Sequence, residues 1–173
     1  DGTRIEAKGY VTDLLTDHKV DPHRMHIVPV GVDPELFVPM PEVKRRAGML
    51  ITTASADVAM KGLRYLLEAV AKLRTERPEV TLTVIGRPKE GGESARTIAS
   101  LGLEDAVTFV SGVSDQRIVE LYAEAEVAVV PSLYEGFSLP AIEAMSTGIP
   151  LVATTGGAIP EVVGVDGDTA FSV

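Results

Sequence analysis

V-A-V-V-P-S-L-Y-E-G-F-S-L-P-A-I-E-A-M-S-T-G, residues Val127 to Gly148, is the stretch whose reading decides the fold. A short β-branched run ends at Pro131, a loop carrying Glu135 and Gly136 follows, and a helix opens near Ser138 and carries Glu143. Strand, loop and helix N-terminus in that order form the building unit of an open parallel sheet. Ligands collect there outside the carboxyl ends of the strands, where free N–H groups and the helix dipole favour anions. The stretch therefore reads as a site for a phosphate-bearing ligand with two carboxylates beside it.

The same alternation extends to both sides. Strands are expected at Met49 to Ala54, Val80 to Ile85, Ala106 to Val110, Pro150 to Ala153 and Thr169 to Val173. Helical patterns stand between them. Leu63, Leu66, Leu67, Val70 and Leu73 form one apolar stripe. A second helix runs near Ser94 to Leu101 and is closed by Gly102. A third is capped by Ser114 and buries Ile118, Leu121, Tyr122 and Ala125, and a short one spans Ile159 to Val163. Repeated βα units imply an α/β fold with a doubly wound parallel sheet, and the apolar Val80 to Ile85 run suits a sheet covered on both faces. Upstream, Thr3 to Asp17 reads as an amphipathic helix, Met25 to Val30 as a short strand, and the proline-rich Gly31 to Pro41 as a linker. The division is thus an extension over residues 1–41 and a main domain over 42–173. The chain stops on an apolar strand, so the main domain is expected to be truncated at its C-terminus.

Composition narrows the function. A net charge of −9 argues against the basic face that nucleic-acid binding needs, so anion binding must be local. Cysteine is absent, which removes disulfides and thiolate metal sites. No apolar run reaches the roughly 20 residues of a membrane span. His18, His23 and His26 have neither ligand spacing nor a nucleophile partner and read as surface or structural groups; no metal set or catalytic triad emerges. Lys44 to Arg46 reads as solvated surface, and Tyr134 and Phe137 as loop packing before stacking platforms.

With Glu135 and Glu143 in view, E-G-F-S-L-P-A-I-E-A-M resembles the two-glutamate motif of the group 1 (family 4) retaining glycosyltransferases of GT-B fold. Val28 to Asp33, followed by Phe37 and Pro39, resembles that family's interdomain hinge. Lys61-Gly62 stands where its phosphate-contacting lysine does. Phe109 to Val113 resembles its loop at the nucleotide base, and Gly156-Gly157 through Glu161 a later signature. The resemblance implies a Rossmann-like domain, the C-terminal half of a GT-B fold, preceded by a helix-strand extension.

It also implies roles. Glu135 and Lys61 are the catalytic candidates: Glu135 at the donor-sugar hydroxyls, Lys61 on the departing diphosphate. Glu143 would hold the ribose, Gly136, Phe137, Ser138 and Leu139 would approach the sugar and diphosphate, and Gly112 and Val113 the base. The family's arginine five residues before the lysine is replaced by Ala56, for which Arg87 is the candidate substitute, and Ser138 replaces a frequent glycine. The implied substrate is a nucleoside-diphosphate-sugar, with no metal or other cofactor. The acceptor, a glycan, lipid or small molecule, would be bound by the missing N-terminal half, so the fragment is expected to be inactive alone. The implied location is cytoplasmic, with a membrane-peripheral full-length protein left open. A sugar-nucleotide epimerase-like GT-B enzyme and a non-catalytic nucleotide-binding or assembly module are the alternatives.

Overall fold

Six strands among the described residues align in parallel in the order β3-β2-β1-β4-β5-β6: β1 Met49–Thr53, β2 Thr81–Ile85, β3 Val107–Val110, β4 Val127–Val130, β5 Leu151–Ala153 and β6 Phe171–Ser172. Adjacent pairs are in parallel register, as with Ile51 beside Thr83 and Ala128. This computed structural model describes residues 17–26, 30–54, 58–164 and 170–173. The helices between the strands are α1 Leu63–Arg74, α2 Glu93–Leu101, α3 Asp115–Glu124, α4 Leu139–Ser146 and α5 Ile159–Val163.

Side chains alternate across the sheet and feed two cores. Leu82 and Val84 join Leu63, Leu66, Leu67, Val70 and Ile98 under α1 and α2. Met49, Ile51, Ile85, Ala128 and Val130 face the other way, with Leu121, Tyr122, Ala141, Ala144, Ile159 and Val163 of α3, α4 and α5. Burial on both faces explains why the strands are rich in aliphatic residues rather than alternating with polar ones. The strand order runs outward in one direction through β2 and β3 and in the other through β5 and β6. Its reversal therefore lies between β1 and β4, where a doubly wound sheet opens its crevice.

The strand and helix expectations hold, with local corrections. Leu73 ends the α1 stripe but is 36% exposed, because spacing sets an angle about the helix axis and not how far the neighbours reach. In α3 Val119 is fully buried alongside Leu121 and Tyr122, while the expected Ile118 is only partly covered. The expected N-terminal helix lies outside the described residues, as does the centre of the Met25 to Val30 strand. The described part of that region holds a 3₁₀ turn at Pro22–Arg24, capped by the Asp21 carboxylate on the His23 N–H at 3.0 Å. The proline-rich segment is tied down: Phe37 packs on the α3–α5 core, and the Pro39 ring lies 3.6 Å from where a Cβ on Gly148 would stand. No helix among the described residues is long and apolar enough to cross a membrane.

Candidate functional site at the sheet reversal

Two chain segments leave the sheet at its reversal and are pressed together backbone to backbone. After β1, a 3₁₀ turn at Ala59–Lys61 ends on Gly62, whose φ of 66° lets the chain turn directly into α1. A Cβ on Gly62 would lie 1.8 Å from the Pro131 carbonyl oxygen, so only glycine permits this approach. The Leu133 N–H donates to the Met60 carbonyl at 2.8 Å and locks the two segments in register. The far side of the β4 loop is held as closely. Cβ atoms on Gly156 and Gly157 would each lie 2.3 Å from a carbonyl oxygen, of Leu133 and Glu135 respectively. The Ala158 N–H donates to the Glu135 carbonyl at 2.8 Å, and the Thr154 hydroxyl donates to the Ser132 carbonyl.

This packing brings Lys61 to Glu135. Lys61 Nζ donates to Glu135 Oε1 at 2.7 Å, and Ser132 Oγ donates to the same oxygen at 2.7 Å. The side chains are 32% and 12% exposed, so the pair stands at the mouth of the crevice with the carboxylate nearly enclosed and the ammonium accessible. Both donors take Oε1, and the Glu135 carboxylate accepts no N–H of the next helix among the described residues.

At the start of α4, Ser138 adopts φ 85°, ψ 77° and caps the helix without a side-chain hydrogen bond. The left-handed conformation accounts for a glycine being the easier residue here. Ser138 is buried, and its Oγ meets no hydrogen-bond partner among the described residues. The N–H groups of Gly136, Phe137 and Ser138 meet no backbone acceptor among the described residues. An orphan hydroxyl and a row of open N–H donors at a helix N-terminus suit an anionic or hydroxyl-rich ligand.

Glu143 projects from α4 and is half-buried. Tyr122 Oη donates to its Oε2 at 3.2 Å. Burial raises the Glu143 carboxyl above its ordinary range; the Tyr122 hydrogen bond opposes this, and the charge of Asp115 at the start of α3 adds to it. Burial also raises the Tyr122 phenol, with the Glu143 charge second.

The remaining expected residues occupy the same carboxyl edge. Gly112, at φ 69°, and Val113 are exposed between β3 and α3, where Ser114 Oγ caps α3 by accepting from the Arg117 N–H at 3.3 Å. Arg87 is exposed just past β2. Phe137 is half-buried, whereas Leu139 and Tyr134 are exposed, so Tyr134 is not the packing residue expected. Ala56 lies outside the described residues. Sequence reasoning missed Ser132 as a partner of Glu135, and it read Tyr122 only as core. The sole signal for Ser132 was its place three residues before the acid.

The Glycosyl transferases group 1 family model matches residues 47–173. The chain belongs to this family. Over 159 residues it is 50% identical to the MMP alpha-(1->4)-mannosyltransferase of Mycolicibacterium hassiacum, covering 92% of the chain and 38% of that protein. Among solved structures it resembles the C-terminal domain of the group 1 glycosyltransferase LpcC from Francisella tularensis, with TM-score 0.68, 26% identity, and coverage of 83% of this chain and 80% of that one. Anabaena Alr3699/HepE, solved in complex with UDP and glucose, matches with TM-score 0.68 and 27% identity over 83% of this chain and 41% of that one. This group 1 glycosyltransferase chain spans about two fifths of the length of the curated relatives it matches.

Proposed function

We propose that the chain is the donor-binding part of a retaining glycosyltransferase that moves a hexosyl group from a nucleoside-diphosphate-sugar to an acceptor. The observation that carries this is the convergence of Lys61, Glu135 and the open start of α4 at the sheet reversal. Residues 42–173 form the donor-binding domain in this reading, and residues 1–41 the end of an N-terminal domain plus its hinge. That N-terminal half would bind the acceptor.

Each role follows from chemistry. Lys61 supplies an accessible positive charge to the diphosphate, and the N–H groups of Gly136 to Leu139 add donors aimed at the charge that grows as the bond to the sugar breaks. The leaving-group charge is assigned to these groups and not to a metal ion. Glu135, enclosed by Lys61 and Ser132 on Oε1, keeps Oε2 for a sugar hydroxyl. Glu143 accepts from the ribose hydroxyls, and Gly112 and Val113 border the base. Strands lie about 4.8 Å apart, so the edge from β3 to β4 spans roughly 14 Å, enough for an extended nucleotide-sugar. Arg87, exposed just past the intervening β2, would supplement Lys61. The acceptor attacks on the face from which the diphosphate departs, which retains configuration without a covalent enzyme intermediate.

The half-identical relative is named for alpha-(1->4) mannosyl transfer, which makes a mannosyl donor the first to test. Calorimetric titration of the chain with UDP, GDP and ADP, with Glu143→Ala as control, tests the reading. One nucleotide should bind, and the variant should bind it at least tenfold more weakly. Equal binding by the variant, or no binding by the parent, would reject the site. Sugar transfer by the 173-residue chain alone would reject the division of labour.

A further inference from the structure

We propose that Tyr122 is a positioning residue, which with Thr53 ties Glu143 to the end of β1 and so holds the carboxylate in the geometry a ribose requires. The proposal rests on the reading of Glu143 as a ribose ligand. Tyr122 is among the largest fully enclosed side chains of the protein, at 1% exposure, yet it carries a hydroxyl into the core. A buried hydroxyl is costly unless bonded, and phenylalanine would fill the same space without that cost. What the hydroxyl gains is two partners from two other elements: Thr53 Oγ1 at 3.1 Å, from the last residue of β1, and Glu143 Oε2 at 3.2 Å, from α4. The phenol has one proton. Glu143 as a carboxylate can only accept it, so Thr53 donates in turn to the phenol oxygen, giving a directed relay from Thr53 through Tyr122 to Glu143.

The relay fixes more than distance. Tyr122 is the hydrogen-bond donor to Glu143 among the described residues, and it takes Oε2, which leaves Oε1 to face a ligand. The groups that act on the Glu143 charge are Tyr122 and Asp115, both from α3. Tyr122 favours the ionised form, and Asp115 and burial oppose it. Removing the phenol hydroxyl therefore leaves a carboxyl that swings freely and takes up a proton at higher pH. Both changes weaken acceptance of two ribose hydroxyls, whereas the diphosphate contacts are untouched.

The test compares the parent chain with Tyr122→Phe, Thr53→Val and Glu143→Gln. Nucleoside diphosphates and inorganic pyrophosphate are titrated across about pH 5 to 9, and the Glu143 carboxyl is followed by carbon NMR. Tyr122→Phe is expected to bind the nucleoside diphosphate roughly three- to tenfold more weakly at neutral pH, with pyrophosphate binding unchanged. Its Glu143 carboxyl should titrate at higher pH, and the acidic limb of nucleotide affinity should move with it. Thr53→Val should shift both in the same direction by less, and it carries the test if Tyr122→Phe does not melt cooperatively. An unmoved Glu143 titration, or unchanged affinity in Tyr122→Phe while Glu143→Gln is weakened, overturns the proposal. A parent chain that binds no nucleoside diphosphate overturns the underlying site reading as well.

Discussion

Gly62→Ala should be among the most damaging single-methyl changes in the domain. Two costs combine. At φ 66° an alanine enters the left-handed region, which costs about 1–2 kcal/mol. The new Cβ would also stand 1.8 Å from the Pro131 carbonyl oxygen, and 2.7 Å from its carbon, both backbone atoms. One segment must retreat by more than about 1 Å, a distortion of the kind that overpacking a core produces, at about 1–3 kcal/mol. The sum is about 2–5 kcal/mol, or a fall in Tm of roughly 5–15 °C for a domain of this size. Gly112→Ala is the internal control, because Gly112 has the same sign of φ but no atom within 4 Å of its Cβ position. It should pay the conformational cost alone. Thermal unfolding of the two variants, followed by circular dichroism, separates the terms. If Gly62→Ala melts no lower than Gly112→Ala, the backbone contact that brings Lys61 to Glu135 is not as drawn.

Other substitutions probe the same edge. Ser138→Gly removes a left-handed non-glycine residue and a buried hydroxyl without a partner, so it should stabilise by about 1 kcal/mol in denaturant melts. A loss of stability would show that Ser138 Oγ is satisfied. Glu143→Gln should flatten part of the pH dependence of stability. The folded carboxyl titrates above 4.5, so the folded state binds more protons than the unfolded one between that pH and its raised value. Stability from this group is therefore present at low pH and lost as pH rises through the window. The variant should lack that decline in unfolding midpoints measured across it, and it should bind nucleotide less well. Lys61→Met should weaken pyrophosphate binding, measured by calorimetry, by at least tenfold at low salt; an unchanged affinity would reassign the anion contact.

The fold was legible because each βα unit carries its own period: the Leu63 to Val70 stripe, the Val80 to Ile85 run and the Ser114 cap declare themselves within a dozen residues. The acidic motif was equally local. What the sequence could not display is pairing across distance. Lys61 and Glu135 are 74 positions apart, and their contact depends on Gly62 and Gly156 having no side chain where another segment's carbonyl passes. Tyr122 fits a helical apolar stripe as well as leucine would, so its hydroxyl carried no local sign of a polar partner on α4. Ser132 was hidden for a different reason, since a serine after Pro131 is ordinary turn chemistry until the chain folds back on Glu135.

The reversal between β1 and β4 also bears on how the chain folds. Lys61 belongs to the half of the sheet made by β1, β2 and β3, and Glu135 to the half made by β4, β5 and β6. A partly folded species holding either half alone would have one of the two charges and no site. Ligand affinity thus counts only molecules in which both halves have docked. A nucleotide spanning the seam would raise the unfolding free energy of the assembled sheet by RT ln(1 + [L]/Kd), and would slow local opening along the β1–β4 line more than fraying at β3 or β6.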